Sequence, residues 1–202
     1  MSADELSQKT PVQAIGPGVV VLVVGPSGVG KDAILSGARV RLKNDSRFWF
    51  PERVISRPPH GSEKHVAVTP DAFERARLNG QFALSWFAHG VGYGLPGEIK
   101  DRVGEGDVVV CNASRTVVGF ARKRYSNCSV VYVDCPVDVR AERLARRGRE
   151  TPSEITERLE RDGSQVTPET ADVVIDNSGP VEFAIEAFVS ALQGPMQMRV
   201  AP

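Results

Sequence analysis

The sequence predicts an α/β protein: a doubly wound, mainly parallel sheet that carries an inserted β-rich lobe and an arginine-bearing helical lid. Three observations predict it. The apolar run Val19-Val-Val-Leu-Val-Val24 leads straight into a glycine-rich loop. Further β-branched runs follow at Asp107–Cys111, Ser129–Val133 and Asp172–Ile175, separated by stretches of helical character. Between residues 53 and 94 the alternation breaks into short apolar pieces around one helix.

Each element has its own reason. Val19–Val24 shows no alternation of apolar and polar residues, so it reads as a strand covered on both faces. The later runs share that character, and strands separated by helices imply parallel pairing through crossover connections. In the insertion, Arg53-Val-Ile55, His65-Val-Ala-Val68 and Phe82-Ala-Leu-Ser-Trp86 are strand candidates. Thr69-Pro70 supplies a cap and a proline for the helix among them, and Gly80 can close it. A helix is expected over residues 138–147, ended by Gly148. Thr151-Pro-Ser-Glu154 then starts another, with a cap, a proline at the first helical position and a glutamate three residues after the cap. The boundaries are 1–17 for a flexible N-terminal segment, 18–193 for one domain and 194–202 for a flexible tail. Within the domain, 53–94 is the inserted substrate lobe and 138–163 the lid region.

Composition narrows the function classes. At 202 residues and 41% hydrophobic content the chain can bury one sizeable core. Lys plus Arg and Asp plus Glu are 25 each, so no net positive charge favours nucleic acid or an anionic membrane. The expected partner is a small molecule, with a homodimer left open. Cys111, Cys128 and Cys135 are odd in number and lack C-x-x-C spacing, which reads as reduced thiols in a cytoplasmic protein. The first eighteen residues hold no apolar signal region, and the longest apolar run is too short to cross a bilayer.

The stretch Gly25-Pro-Ser-Gly-Val-Gly-Lys-Asp32 fits the phosphate-loop pattern G-x-x-x-x-G-K-[ST] except at its last letter. Gly25, Gly28 and Gly30 let backbone amides turn inward, so that amides from Gly25, Pro26, Ser27, Gly28, Val29 and Gly30 onward line a nucleotide cradle wherever an N–H exists. Lys31 meets the β- and γ-phosphate oxygens as a point charge. Asp32 stands where a hydroxyl normally ligates Mg²⁺, and a carboxylate is an equally hard ligand. The competing reading gives Asp32 only ~0.3–1 kcal/mol of helix-dipole stabilisation. Repulsion from bound triphosphate offsets that gain, so Asp32 is expected to contact the metal.

Arginines follow the loop. Arg140, Arg143 and Arg146 read as a solvated helical face with a Glu142–Arg146 pair. Arg147, at the hinge before Gly148, and Arg158 on the next helix are placed toward the migrating phosphoryl group. In the lobe, Arg53-Val-Ile-Ser-Arg-Pro-Pro-His60 is kept extended by proline, and Arg57 is the expected acceptor-site cation. His60, His65 and His89 fit no metal spacing and read as surface or hydrogen-bonding residues.

These motifs resemble the guanylate kinase family over about Val19 to Leu192: GPSGVGK, Ser56-Arg-Pro-Pro59, Gly92-Tyr-Gly94, Arg147-Gly148 and Arg158-Leu159. That family places a guanine-reading glutamate before the aromatic residue of the segment that is here Ala83-Leu-Ser-Trp86, but this chain has Ser85. A serine cannot accept the same pair of hydrogen bonds. The second arginine of the phosphate segment is replaced by His60. The loop ending in Asp32, Ser56-Arg-Pro58, Ala88-His-Gly-Val-Gly-Tyr-Gly94 and Asn112-Ala-Ser-Arg115 are similar instead to the ribose 1,5-bisphosphate phosphokinases of phosphonate metabolism. That resemblance implies a guanylate kinase-like fold and ATP- and Mg²⁺-dependent phosphorylation of a sugar phosphate to 5-phosphoribosyl 1-diphosphate. It implies acceptor contacts from Arg57 and Tyr93. Asn112 and Arg115 either contact the sugar phosphate or, for Asn112, satisfy a turn. The competing classes are a nucleoside monophosphate kinase and a non-catalytic module that binds a phosphorylated partner.

Overall fold

The computed structural model describes residues 14–58, 65–146, 156, 159 and 166–194. The expected helix start at Thr151–Glu154, most of the lid and His60 lie outside them. The described chain forms two sheets. The first has the order β2-β7-β1-β8-β9, with every pair parallel. Its strands are β1 (Val19–Val24), β2 (Phe48–Trp49), β7 (Val108–Asn112), β8 (Cys128–Asp134) and β9 (Val173–Asp176). The second has the order β4-β3-β6-β5, built from β3 (Val54–Ile55), β4 (Val66–Ala67), β5 (Phe82–Ala88) and β6 (Val91–Pro96). Its β3–β6 and β5–β6 pairs are antiparallel and β3–β4 is parallel.

The double burial expected of β1 is present at every residue. Val20, Leu22 and Val24 point into one core with Ile99 and Val103 of α3 (Ile99–Glu105) and Val118 and Ala121 of α4 (Val118–Arg124). Val19, Val21 and Val23 point the other way, against Ile34 and Ala38 of α1 (Lys31–Arg41) and Phe188 and Leu192 of α6 (Val181–Gln193). Alternate side chains of one strand thus anchor two helical layers, each fully buried Val or Leu contributing about 1.5–3 kcal/mol. The first core also takes Ala83, Leu84, Trp86 and Leu95 from the lobe, which fastens the second sheet to the first.

Helix α2 (Pro70–Leu78) begins as its sequence requires: Thr69 Oγ1 accepts from the Ala72 amide at 3.2 Å, and Pro70 occupies the first helical position. Helix α5 (Val137–Arg146) follows β8. Here one expectation fails. Arg146 pairs with Glu142 at 2.7 Å on the surface, but Arg143 is half-buried with Nη1 donating to Cys135 Sγ at 3.6 Å, and Arg140 is buried. Its backbone carbonyl and Cβ press on the glycine-rich loop at Gly28, because α5 packs over that loop and turns this residue inward.

Cys111, Cys128 and Cys135 are unbridged and buried. Burial raises all three thiols, Cys128 to about 12, so none supplies a thiolate nucleophile at neutral pH. No helix among the described residues is long and apolar enough to cross a membrane.

Candidate active site

The first sheet changes winding direction beside β1. From β1 the chain passes outward to the edge strand β2, then returns to β7, and from β7 it crosses to β8 on the other side. Ligands of open α/β sheets collect in the crevice at such a switch point, outside the carboxyl ends of the strands. The glycine-rich loop leaves β1 there. Asn112 ends β7 directly opposite Val23, and the Ala113 amide donates to Val23 O at 3.1 Å.

Glycine is required at both ends of the loop. Gly25 has φ +143°, and a Cβ there would lie 2.2 Å from Val133 O of the neighbouring strand. Gly30 caps α1 in the left-handed region with no side chain to occupy the helix's first amides, which leaves that end suited to an anion. A Cβ on Gly30 would lie 2.5 Å from Asn177 Nδ2, which itself donates to Val29 O at 2.6 Å. Asn177 is buried just after β9 and was not singled out from the sequence, although its place just past the end of the last β-branched run was a usable signal. Gly25→Ala is expected to cost about 1–3 kcal/mol from backbone strain alone and to weaken nucleotide binding. Urea unfolding and nucleotide titration measure both; an unshifted midpoint would mean that the turn relaxes freely.

Lys31 is half-buried and reaches back over the loop, donating to Gly25 O at 2.7 Å and Pro26 O at 2.9 Å. Asp32, one residue on, faces the crevice. Its Oδ1 accepts from Asn112 Nδ2 at 2.7 Å and from the Arg53 guanidinium at 3.1 Å. Three distant pieces of sequence therefore meet on one carboxylate oxygen. They line a cavity of about 200 Å³ together with Ser36 and Arg39 of α1 and Phe50–Glu52. Among the described residues there is no cluster of three or more histidine, cysteine or acidic side chains. Mg²⁺ asks less of a site than such a cluster, because it keeps most of its water and needs one or two carboxylates plus phosphate oxygens. Asp32 is such a carboxylate and is 53% exposed.

The lobe faces this crevice through β3 and β6. Ser56 binds Gly92 in both directions, its amide donating to Gly92 O at 2.9 Å and its Oγ accepting from the Gly92 amide at 2.7 Å. That tie sets Ile55 opposite Tyr93. Tyr93 is stacked on Trp86, with ring centroids 5.5 Å apart and planes within 4° of parallel, and the Arg53 guanidinium lies 5.8 Å from its ring centre. Arg57 continues β3, with its carbonyl 3.1 Å from His65 Nε2. Arg115 begins the short 3-10 turn after β7, beyond Asn112. Of the residues anticipated from sequence, Asp32 and Asn112 meet here, Lys31 lies over the adjoining loop and Tyr93 is linked through Arg53; Arg57 and Arg115 do not line this cavity, and Arg147 and Arg158 lie outside the described residues. Arg53, which sequence reasoning passed over for Arg57, is the arginine that reaches Asp32.

No protein-family model matches the chain. In fold it is similar to a solved guanylate kinase from Anaplasma phagocytophilum, 20% identical with a TM-score of 0.60, covering 91% of this chain and 90% of that one. It is also similar to an unliganded sugar kinase from Janibacter sp. HTCC2649, 19% identical with a TM-score of 0.52, covering 92% and 99%. Those two establish architecture. Sequence relatives carry more: the ribose 1,5-bisphosphate phosphokinase PhnN of Methylobacterium radiotolerans is 44% identical over 177 residues, 88% of this chain and 98% of that protein. The proteins of the same name from Bradyrhizobium diazoefficiens and Acidiphilium cryptum are 43% and 46% identical, covering 89% and 87% of this chain and 90% and 92% of their own. With a phosphate loop at the switch point and this identity over nearly full length, the chain belongs to the ribose 1,5-bisphosphate phosphokinase family.

Proposed function

We propose that the protein transfers the terminal phosphoryl group of ATP to the 1-phosphate of ribose 1,5-bisphosphate, giving ADP and 5-phosphoribosyl 1-diphosphate. The observation that carries this reading is the meeting of Lys31, Asp32, Asn112 and the lobe's Arg53–Tyr93 pair around one crevice. Donor cradle and acceptor lobe are opposed there, as an in-line transfer needs.

The chain's own groups divide the work. Loop amides and the Lys31 ammonium hold the donor phosphates, and Asp32 is the residue that would hold Mg²⁺. When bound, that ion supplies charge neutralisation to the phosphate oxygens. Arg57, Tyr93, Asn112 and Arg115 position the acceptor, and Arg147 and Arg158 are assigned to the migrating group. No side chain has to take a proton, because a phosphate acceptor with its second pKa near ~6 is already largely ionised at neutral pH. This agrees with a site whose nearest cysteines are buried thiols.

Labelled ATP supplied in parallel with ribose 1,5-bisphosphate, ribose 5-phosphate and GMP tests the proposal. Label is expected on the bisphosphate. Preferential transfer to GMP would replace this reading with a nucleoside monophosphate kinase, and failure to bind ATP would leave a non-catalytic binding module.

A further inference from the structure

We propose that Arg53 is a shared cation: it neutralises Asp32 before the metal arrives and becomes a ligand of the acceptor phosphate once the metal takes that carboxylate. This rests on the phosphokinase reading above for the identity of the acceptor, but its metal half does not.

The geometry supplies the two ends of the switch. The Arg53 side chain is only 12% exposed, and its guanidinium lies 3.1 Å from Asp32 Oδ1, the same oxygen that accepts from Asn112 at 2.7 Å. Asp32 itself is 53% exposed and accessible to an ion. A divalent cation on that oxygen repels a guanidinium at hydrogen-bond distance, so metal and Arg53 compete for one site. Arg53 is held on its other side by the Tyr93 ring, which belongs to the lobe. Displacement therefore leaves it beside the cavity that Asp32, Asn112, Arg39 and Arg53 line together. A phosphate entering that cavity meets a planar fork of donors suited to its oxygens.

The arrangement also links two bodies. Asp32 is in the first turn of α1 on the donor side, and Arg53 immediately precedes β3 on the acceptor side. Their contact spans the crevice through a protein carboxylate, and the acceptor's phosphate takes over as the bridging anion. Metal occupancy thereby makes Arg53 available, so acceptor binding is expected to tighten when the metal–nucleotide is in place. By linkage the reverse also holds.

Arg53→Gln separates this from a merely structural tie, because the two affinities move in opposite directions. Mn²⁺ binding, read by electron paramagnetic resonance with a non-hydrolysable ATP analogue and no acceptor, is expected to strengthen roughly two- to fivefold as the competing charge is lost. Ribose 1,5-bisphosphate binding to the same loaded protein, read by calorimetry, is expected to weaken roughly ten- to a hundredfold. Arg53→Lys keeps the charge without the fork, so its Mn²⁺ affinity stays near the original while acceptor binding still falls. It also serves if the glutamine variant does not fold, which a thermal melt reveals. Unchanged or weaker Mn²⁺ binding in a folded Arg53→Gln protein, or acceptor binding as tight as in the unaltered protein, overturns the proposal. If the unaltered protein does not bind ribose 1,5-bisphosphate, the proposed function falls instead, and the Mn²⁺ measurement still decides whether Arg53 and metal compete.

Discussion

Lys31→Met is expected to lower kcat by about 10²–10³-fold or more, while the protein stays folded. The ammonium is held across the loop mouth by Gly25 O and Pro26 O, where the donor's β- and γ-phosphates would place their negative charge. Methionine keeps an unbranched stem and removes the charge together with the hydrogen bonds to Gly25 O and Pro26 O. Losing those bonds in a half-buried setting costs on the order of 1–3 kcal/mol, or a few degrees in Tm for a chain of this size. Steady-state kinetics and a thermal melt separate the two effects. Turnover close to that of the unaltered protein would remove the loop from the chemistry, and a collapsed melt would mean that Lys31 acts mainly as a strut.

The second large effect is expected at Asp32. Asp32→Ala should reduce kcat about 10²-fold at fixed Mg²⁺ and raise the Mg²⁺ concentration needed for half-maximal rate. Asp32→Ser, which restores the hydroxyl usual at this position, should recover part of both losses because a hydroxyl is still a hard oxygen ligand. The structure adds a reason for the severity of the alanine variant: it leaves the Asn112 amide and the Arg53 guanidinium without the oxygen they share. If Asp32 served only the helix dipole, the change would be ~0.3–1 kcal/mol in stability with no altered Mg²⁺ response. A Mg²⁺ titration of rate in the three proteins distinguishes the readings.

The parts of the fold that could be read from the chain are those whose residues are covered on two sides. β1, β7 and β8 each show as a β-branched run because both faces pack against helices or the lobe, whereas β9 packs only Val173 and Ile175, leaves Val174 exposed, and was legible from its β-branched residues alone. β2 was invisible: Phe48–Trp49 is two residues long and is held at the sheet edge by β7 alone. β6 was read only as a Tyr-Gly motif. Its Gly92 and Gly94 lie against the rings of Phe73 and Phe82, so the aromatic neighbours, not its own side chains, fill the space that a strand pattern would have shown. In the site, local spacing located Lys31 and Asp32. Partnership across the fold did not announce itself, which is why Arg57 was preferred to Arg53 and why Arg140 was assigned to solvent. Each depended on which way another element turned: β3 toward α1 in one case, α5 over the loop in the other.

The Asn177 clamp has a bearing on biosynthesis. Val29 and Asn177 are 148 positions apart in the chain, yet the amide of one secures the carbonyl of the other. A nascent polypeptide that has already emerged through β8 possesses every letter of the glycine motif but not the brace that shapes it. The loop therefore takes its folded shape only after Asn177 has been made and β9 has joined β8 in the sheet.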